Sequence, residues 1–204
     1  MPKKSSNEND RARKMVAQEA ARIIVEQGIQ DYRAAKTKAA ERMGMTARGS
    51  LPGNPEIEHA VSEHLKIFGR ESHLHFLRGL REAALSAMEV LAPFTPRLVG
   101  PVLHGTAAAN SSVNLHVFSD SAEIVAQALQ DSAVQYRIYE RRIRSRRNHA
   151  ETYCGFRFTQ DSSSIEATVF PVDGMRQAPI SPVNGRPMLR ADRQAVLDLL
   201  DKQN

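Results

Sequence analysis

Apolar residues in the first half of the chain recur with the period of a helix. One stripe places five apolar side chains on the same helical face: Met15, Val16, Ala20, Ile23 and Ile24. The Ala- and Lys-rich segment 31–42 has high helix propensity, and a further helix is predicted over residues 54–68. A second stripe, from Leu77 to Leu91, predicts a long helix over residues 72–91. The first half is therefore predicted to be helical.

From Arg97 onward the period changes to that of a β-strand. Apolar and polar residues alternate over several short segments, which are predicted strands: 97–103, 112–118, 133–144, 152–159 and 164–171. Two helices are predicted among and after them, over 120–131 with Asp120 and Glu123 as a capping box, and over 192–200. We expect the strands that carry Val99, Leu115 and Val169 to share one sheet, with the helix over 72–91 packed on it.

This change of period divides the chain near Gly69. Residues 1–69 are predicted to form a helical N-terminal extension, and residues 70–204 an α/β or α+β domain with a mixed sheet and flanking helices. No apolar run approaches the roughly 20 residues that a membrane helix needs. The single cysteine, Cys154, lies in an apolar strand pattern and is predicted to be a small core residue. These features predict a cytoplasmic protein with no membrane partner, and they leave its oligomeric state open.

The most informative segment joins the first two predicted strands. It reads RLVGPVLHGTAAANSSVNLHVF, so an apolar strand leads into a turn at Gly105 and Thr106 and a second strand follows. On that second strand Ser112, Asn114 and His116 alternate with apolar residues and should share one face of the sheet. This pattern predicts a polar face beside a glycine turn.

The chain resembles a bacterial family of proteins described as nucleotidyltransferase-like or uncharacterised. The segments that carry the resemblance are DYRAAKTKAAERMG, PRLVGPVLHGTA, LHVF and APISPVNGRPMLRA. The resemblance implies a nucleotidyltransferase-like sheet, in which a Gly-Ser turn contacts phosphates and an Asp-x-Asp strand binds divalent cations. Thr106 takes the place of that serine. The acid positions fall on Ser112 and Asn114 in one register, or on Asn114 and His116 in the other, and Glu166 matches the third carboxylate.

Neutral side chains at the acid positions predict a degenerate nucleotidyltransferase-like domain. Magnesium prefers carboxylate oxygens, and a single carboxylate beside an amide and an imidazole is a poor site for it. The expected function is therefore binding of a nucleotide, of another phosphate-bearing ligand or of a protein partner, without transferase activity and without a cofactor. The alternative is an active Mg²⁺-dependent nucleotidyltransferase with an atypical site around Glu166.

A run of arginines gives a third hypothesis, together with the net charge of +5 and a pI near 9.6. Six arginines lie close together with tyrosines between them: Arg137, Arg141, Arg142, Arg144, Arg146 and Arg147. Guanidinium groups bind phosphates and tyrosine rings stack on bases, so this cluster would suit a nucleic-acid-binding module. The alternative is a solvated hairpin whose charge protects a sheet edge. The histidines show no zinc-site spacing, and we predict no metal site.

Overall fold

The computed structural model describes residues 3–29, 31–44, 51–68, 70–146 and 149–202, in which helices precede a sheet. The helices are α1 (Lys3–Gln27), α2 (Tyr32–Arg42), α3 (Asn54–Phe68), α4 (Arg70–Val90), α5 (Pro101–His104), α6 (Ala122–Asp131) and α7 (Arg193–Asp201). The strands are β1 (Arg97–Val99), β2 (Val113–Phe118), β3 (Tyr136–Arg146), β4 (His149–Gln160) and β5 (Ser163–Phe170). Short 3₁₀ turns cover Ala92–Phe94 and Val172–Met175. The protein thus has the mixed α and β content that its pattern predicts.

The chain divides into two compact units. The first contains α1, α2 and α3 with the short segments Ala108–Asn110 and Pro182–Asn184. Three residues of its predicted apolar stripe, Val16, Ala20 and Ile23, are fully buried in a cluster with α2 and α3 side chains, whereas Met15 is 47% exposed. The second contains Leu74–Ala107, Ser111–Ser181 and Gly185–Asn204, and it includes the sheet. The predicted boundary, Gly69, lies outside the described residues, and the domain division at that point stays a prediction.

The sheet has five strands in the order β1-β2-β5-β4-β3. The central pair, β2 and β5, is parallel, and every other neighbouring pair is antiparallel. Val99, Leu115 and Val169 therefore belong to one sheet, which confirms the predicted architecture. A parallel central pair needs a long crossover connection, and α6, β3 and β4 together supply it between β2 and β5.

One face of the sheet forms the core of this unit. Leu115, Ile165 and Phe156 from the three inner strands are buried in the same cluster as Leu80 and Met88 of α4. The alternation of each strand sends these side chains to one face, and the apolar stripe of α4 packs against them. The packing predicted for the helix over 72–91 is confirmed. The opposite face carries the intervening residues, which are mostly polar.

The predicted strand over 97–103 is wrong in its second half. Strand β1 ends at Val99, and Pro101–His104 forms the short helix α5. Gly100 has a φ of +74°, which an L side chain rarely adopts and which turns the chain out of the strand. Pro101 then occupies the first helical turn, where its missing N–H costs nothing. A glycine and a proline in succession thus overrode an apolar run that suits a strand.

Asp120 does not begin α6 as predicted. The N-cap residue is Ser121, whose hydroxyl donates a hydrogen bond to the Glu123 carboxylate at 2.5 Å. The Asp120 carboxylate instead accepts a hydrogen bond from the backbone N–H of Val172 at 3.0 Å. Asp120 therefore ties the turn after β5 to the end of β2, a long-range contact that helix-capping rules do not include.

Two isoleucines on the same face of the sheet should differ sharply, because Ile165 lies on the inner strand β5 and Ile138 on the edge strand β3. Replacing Ile165, which is fully buried on β5, with alanine should lower the free energy of unfolding by about 2–5 kcal/mol through lost burial and a cavity. Ile138 on β3 is 66% exposed, and the same substitution there should change stability by about 0.5 kcal/mol or less. Urea denaturation followed by circular dichroism measures both. Equal effects at the two positions would contradict this core.

Candidate functional site

The second face of the sheet, here called the open face, gathers the polar residues predicted from the sequence. Asn114 of β2 pairs with Glu166 of β5, and Glu166 pairs in turn with Arg157 of β4. The next row of this face joins His116 to Thr168. Ser112 approaches the same face, since its hydroxyl donates to the Ser164 hydroxyl at 3.3 Å. The strand pairing therefore places Ser112, Asn114, His116 and Glu166 side by side, as the alternation of each strand requires.

Glu166 is buried and bound by two arginines. The Nη2 and Nε of Arg157 donate to its Oε1 at 2.7 and 3.1 Å. Arg141 donates from Nη2 to Oε2 of the same carboxylate and from Nη1 to Asn114 Oδ1 at 3.0 Å. Both carboxylate oxygens are thus engaged by guanidinium groups, so a divalent cation would have to displace ion pairs to reach them. Among the described residues no group of three His, Cys, Asp or Glu side chains could hold a metal ion.

Tyr139 of β3 lies beneath this ion-pair cluster. Its hydroxyl is 2.8 Å from the hydroxyl of Thr168, and the Cζ atoms of Arg141 and Arg157 lie 5.5 and 5.6 Å from its ring centroid. The ring covers Gly155 so closely that a Cβ there would lie 2.4 Å from Tyr139 Cζ. Gly155 therefore makes room for an aromatic ring that holds two guanidinium groups by cation–π contact.

His116 and Arg190 form a second cluster on the same face. Arg190 Nε donates to His116 Nδ1 at 3.1 Å, so this imidazole accepts at Nδ1 and carries its proton on Nε2. His116 is only 3% exposed. Burial, followed by the charges of Arg190 and Arg141, lowers the pKa of His116 to about 3. The imidazole is therefore neutral at physiological pH.

Arg190 is held from several sides. Its Nη1 donates to the carbonyl oxygens of Gly174 and Met175 at 2.9 and 3.3 Å. Its Cζ lies 5.0 and 5.3 Å from the ring centroids of Phe118 and Phe170. Burial, with a smaller effect of the nearby Arg97 charge, lowers the pKa of Arg190 to about 10, so it stays cationic. Its Nη2 is shielded from solvent and has no hydrogen-bond partner in the part of the chain that the structure describes.

A cavity of about 1030 Å³ lies where β2 and β5 end. Its charged lining consists of Arg97, Arg176, Arg190, Asp120 and Asp173. Its apolar wall is formed by Phe118, Pro171, Val172 and Met175. In open sheets, ligands bind beyond the carboxyl ends of parallel strands, and this cavity occupies that position relative to the parallel pair.

The predicted phosphate turn is less available than expected. Gly105 ends α5 with a φ of +77°, and the backbone N–H of Thr106 donates to Pro101 O at 2.9 Å. That N–H, which such a turn would offer to a phosphate, is therefore used by the helix end. The Thr106 hydroxyl is buried and has no partner among the described residues.

The arginine run does not form one continuous face. Arg137 pairs across the ladder with Arg157 and joins Arg141 on the open face. Arg142 and Arg144 occupy the alternate positions of β3, which point to the other side of the sheet. The ladder also shifts register between Arg144 and Arg146. Arg147 and the side chain of Arg146 lie outside the described part of the chain.

Sequence reasoning missed three of the arginines on the open face: Arg97, Arg157 and Arg190. Arg157 had a usable signal, because Phe156 and Phe158 flank it and alternate inward, which sends Arg157 to the other face. Arg190 follows an irregular loop and reaches a residue 74 positions away, so no local pattern could place it.

Comparison of the chain with protein families, with curated proteins and with solved structures finds no match. In the described residues, no helix is both long enough and apolar enough to cross a membrane. The open face must therefore be interpreted from its own chemistry.

The depressed pKa of His116 predicts an acid-sensitive fold. The unfolded chain binds a proton at His116 near pH 6.5 and the folded chain only near pH 3, so stability is complete above about pH 6.5 and falls as the pH drops towards 3. At pH 4.5 this residue should account for a loss of roughly 2–3 kcal/mol.

Urea denaturation across this pH range measures the effect. His116→Asn keeps an acceptor for Arg190 but cannot be protonated there, so its stability should fall less steeply than that of the wild type. His75→Asn, at an exposed position on α4, is the matched control and should keep the wild-type slope. Identical slopes for all three proteins would rule out a buried neutral His116.

Proposed function

We propose that this protein binds a phosphate-bearing ligand on the open face of its sheet and does not transfer nucleotides there. The observation that carries the proposal is the charge of that face. The guanidinium groups of Arg97, Arg141, Arg157 and Arg190 gather on it, and Glu166 is the buried carboxylate among them.

Positive charge on this face exceeds what its two strand carboxylates, the buried Glu166 and the exposed Glu151 of β4, can neutralise. Glu166 balances one of the two guanidinium groups that bind it. Arg97 makes a long contact with Asp192, at 3.9 Å, and Arg190 is held by neutral acceptors. Guanidinium groups match the geometry of phosphate oxygens and bind them in pairs of hydrogen bonds. An anion with several oxygens is therefore the ligand that best complements this face.

The same residues argue against nucleotidyl transfer. That reaction uses divalent cations held by carboxylates to stabilise the triphosphate and activate the attacking oxygen. Here an amide, Asn114, faces Glu166 and an imidazole, His116, stands in the next row of the same strand. Glu166 itself is bound to Arg141 and Arg157. The arrangement therefore favours binding of a ligand over nucleotidyl transfer.

The nucleic-acid hypothesis has weaker support. Among the described residues of the predicted cluster, Arg137, Tyr139 and Arg141 share the open face, while Arg142 and Arg144 point away from it. A strand of nucleic acid would need a longer row of cations and rings than these three residues provide. The nucleic-acid hypothesis stays a prediction for Arg147 and the side chain of Arg146, which lie outside the described residues.

Removing the negative charge of Glu166 should strengthen anion binding. Glu166→Gln leaves Arg141 and Arg157 without their counter-charge, and affinity for inorganic pyrophosphate should rise by about three- to tenfold. Glu140→Gln is the matched control, because it removes the same charge from an exposed position on the other side of β3. Isothermal titration calorimetry at low and at higher salt measures both.

A fall in pyrophosphate affinity in Glu166→Gln, with the fold intact by circular dichroism, would show that Glu166 supports the ligand site. An equal gain in Glu140→Gln would show that only the overall charge matters. Absence of pyrophosphate binding to the wild-type protein would overturn the proposed function itself.

Nucleotidyl transfer should be undetectable. We expect no pyrophosphate release from ATP, GTP, CTP or UTP with Mg²⁺ or Mn²⁺, because Ser112, Asn114 and His116 stand where acids would be needed. A coupled pyrophosphate assay provides the measurement. Metal-dependent release that disappears in Glu166→Gln would instead establish the alternative, an active enzyme with an atypical site.

A further inference from the structure

We propose that the cavity at the ends of β2 and β5 binds a nucleoside monophosphate. Arg190 is the main hydrogen-bond donor to its phosphate group, and His116 is the residue that positions Arg190. This inference rests on the proposed function and goes beyond it, because it assigns the place and the class of the ligand. The cavity, the lining charges and the hydrogen bonds of Arg190 are separate observations that point to the same spot.

The first step is the unsatisfied donor of Arg190. Its Nε is used by His116 and its Nη1 by the carbonyls of Gly174 and Met175, which fixes the plane of the guanidinium. Its Nη2 is left without a partner among the described residues. A buried donor without an acceptor is unfavourable, and such groups in folded proteins commonly mark a missing ligand or water. A phosphate oxygen would supply the acceptor and a counter-charge together.

The second step is the role of His116. A neutral imidazole can accept a hydrogen bond at Nδ1, whereas a protonated one would donate there and repel the guanidinium. His116 is enclosed beside Phe170, with ring centroids 4.4 Å apart, so its own orientation is fixed by packing. It therefore holds Arg190 at the cavity without touching the ligand, and it is a positioning residue.

The third step is the balance of the cavity lining. Arg97 and Arg176 add two cations to Arg190, while Asp120 and Asp173 subtract two charges. One net positive charge suits a single phosphate group better than a triphosphate. Val172 and Met175, whose side chains are exposed in this cavity, offer an apolar surface for a flat, uncharged group. A phosphate monoester joined to a nucleoside has both parts.

Ligand binding should also move the turn that holds Arg190. Because Nη2 is shielded from solvent, an acceptor reaches it only after a local rearrangement. The turn Val172–Met175 supplies the carbonyls that accept from Arg190 Nη1. The backbone N–H of Val172 anchors this turn by donating to the Asp120 carboxylate. We expect adenosine monophosphate to change hydrogen exchange at the amides of Gly174, Arg176 and Gln177, which close this turn.

The test is calorimetric titration with adenosine monophosphate, with inorganic phosphate and adenosine as part-ligands. Wild-type protein should bind the monophosphate more tightly than either part. Arg190→Lys keeps the charge but cannot make all these hydrogen bonds, and affinity should fall by about tenfold or more. Arg176→Ala, at the exposed rim, should lose about three- to tenfold. Arg142→Ala removes equal charge from the other side of the sheet and should bind like the wild type.

Two variants of His116 separate positioning from folding. His116→Leu removes the acceptor for Arg190 and should lower affinity by about tenfold, whereas His116→Asn restores an acceptor and should bind within about threefold of the wild type. Thermal melts establish whether each variant is folded. If Arg190→Lys does not fold, Arg176→Ala still tests the cavity.

The results distinguish failure of the cavity proposal from failure of the proposed function. Wild-type affinity in both Arg176→Ala and Arg190→Lys, while Glu166→Gln still strengthens pyrophosphate binding, would overturn the cavity and leave the proposed function standing. Binding of inorganic phosphate as tight as that of the monophosphate would overturn the assigned ligand class. Absence of any anion binding to the wild-type protein would remove the cavity proposal together with the proposed function.

Discussion

The open face depends on one buried carboxylate. Glu166 on β5 binds Arg157 of β4 and Arg141 of β3, and Arg141 in turn binds Asn114 of β2, so a single ion-pair cluster joins four strands. The carboxylate of Glu166 is buried whereas Arg141 and Arg157 are partly exposed, so without these guanidinium groups a buried charge would be left uncompensated. The cluster therefore fixes where the guanidinium groups of this face stand, and with them its electrostatic character.

The parallel pairing of β2 with β5 fixes the second important position. Both strands run in one direction and end together, at Phe118 and Phe170, whose rings flank the Arg190 guanidinium. Because their crossover is made of α6, β3 and β4, the strands that bring Arg141 and Arg157 are inserted within it. The topology thus places the ion-pair cluster beside the parallel pair, and the cavity lies where the two parallel strands end. Neither feature could be moved without changing strand order.

Local periodicity predicted much of this fold, and it did so for a physical reason. Alternation in β2 and β5 reflects a sheet with one apolar face, so Leu115 and Ile165 were correctly sent inward and Asn114 and Glu166 outward. Pairing between strands is not encoded by alternation, since any even shift keeps the same faces. The contact between Arg157 and Glu166 therefore could not be deduced, although each residue's face could.

Arg190 shows where such reasoning ends. It lies outside the regular elements, and its partners are a histidine on β2, a turn after β5 and two aromatic rings. Each of those partners is distant in sequence and is brought near only by the completed sheet. Propensities and capping rules describe residues that are neighbours along the chain, so they cannot predict a contact between distant residues.

The open face carries its positive charge on amino-acid side chains. An enzyme that transfers nucleotides brings cations to the phosphates as metal ions, and it needs carboxylates to hold them. On this open face the cations are arginine side chains, and the buried carboxylate of Glu166 binds two of them. Guanidinium groups neutralise phosphate oxygens but cannot lower the pKa of an attacking water or hydroxyl as a bound metal does. This chemistry is the reason why we propose that the face binds a phosphate and does not transfer it.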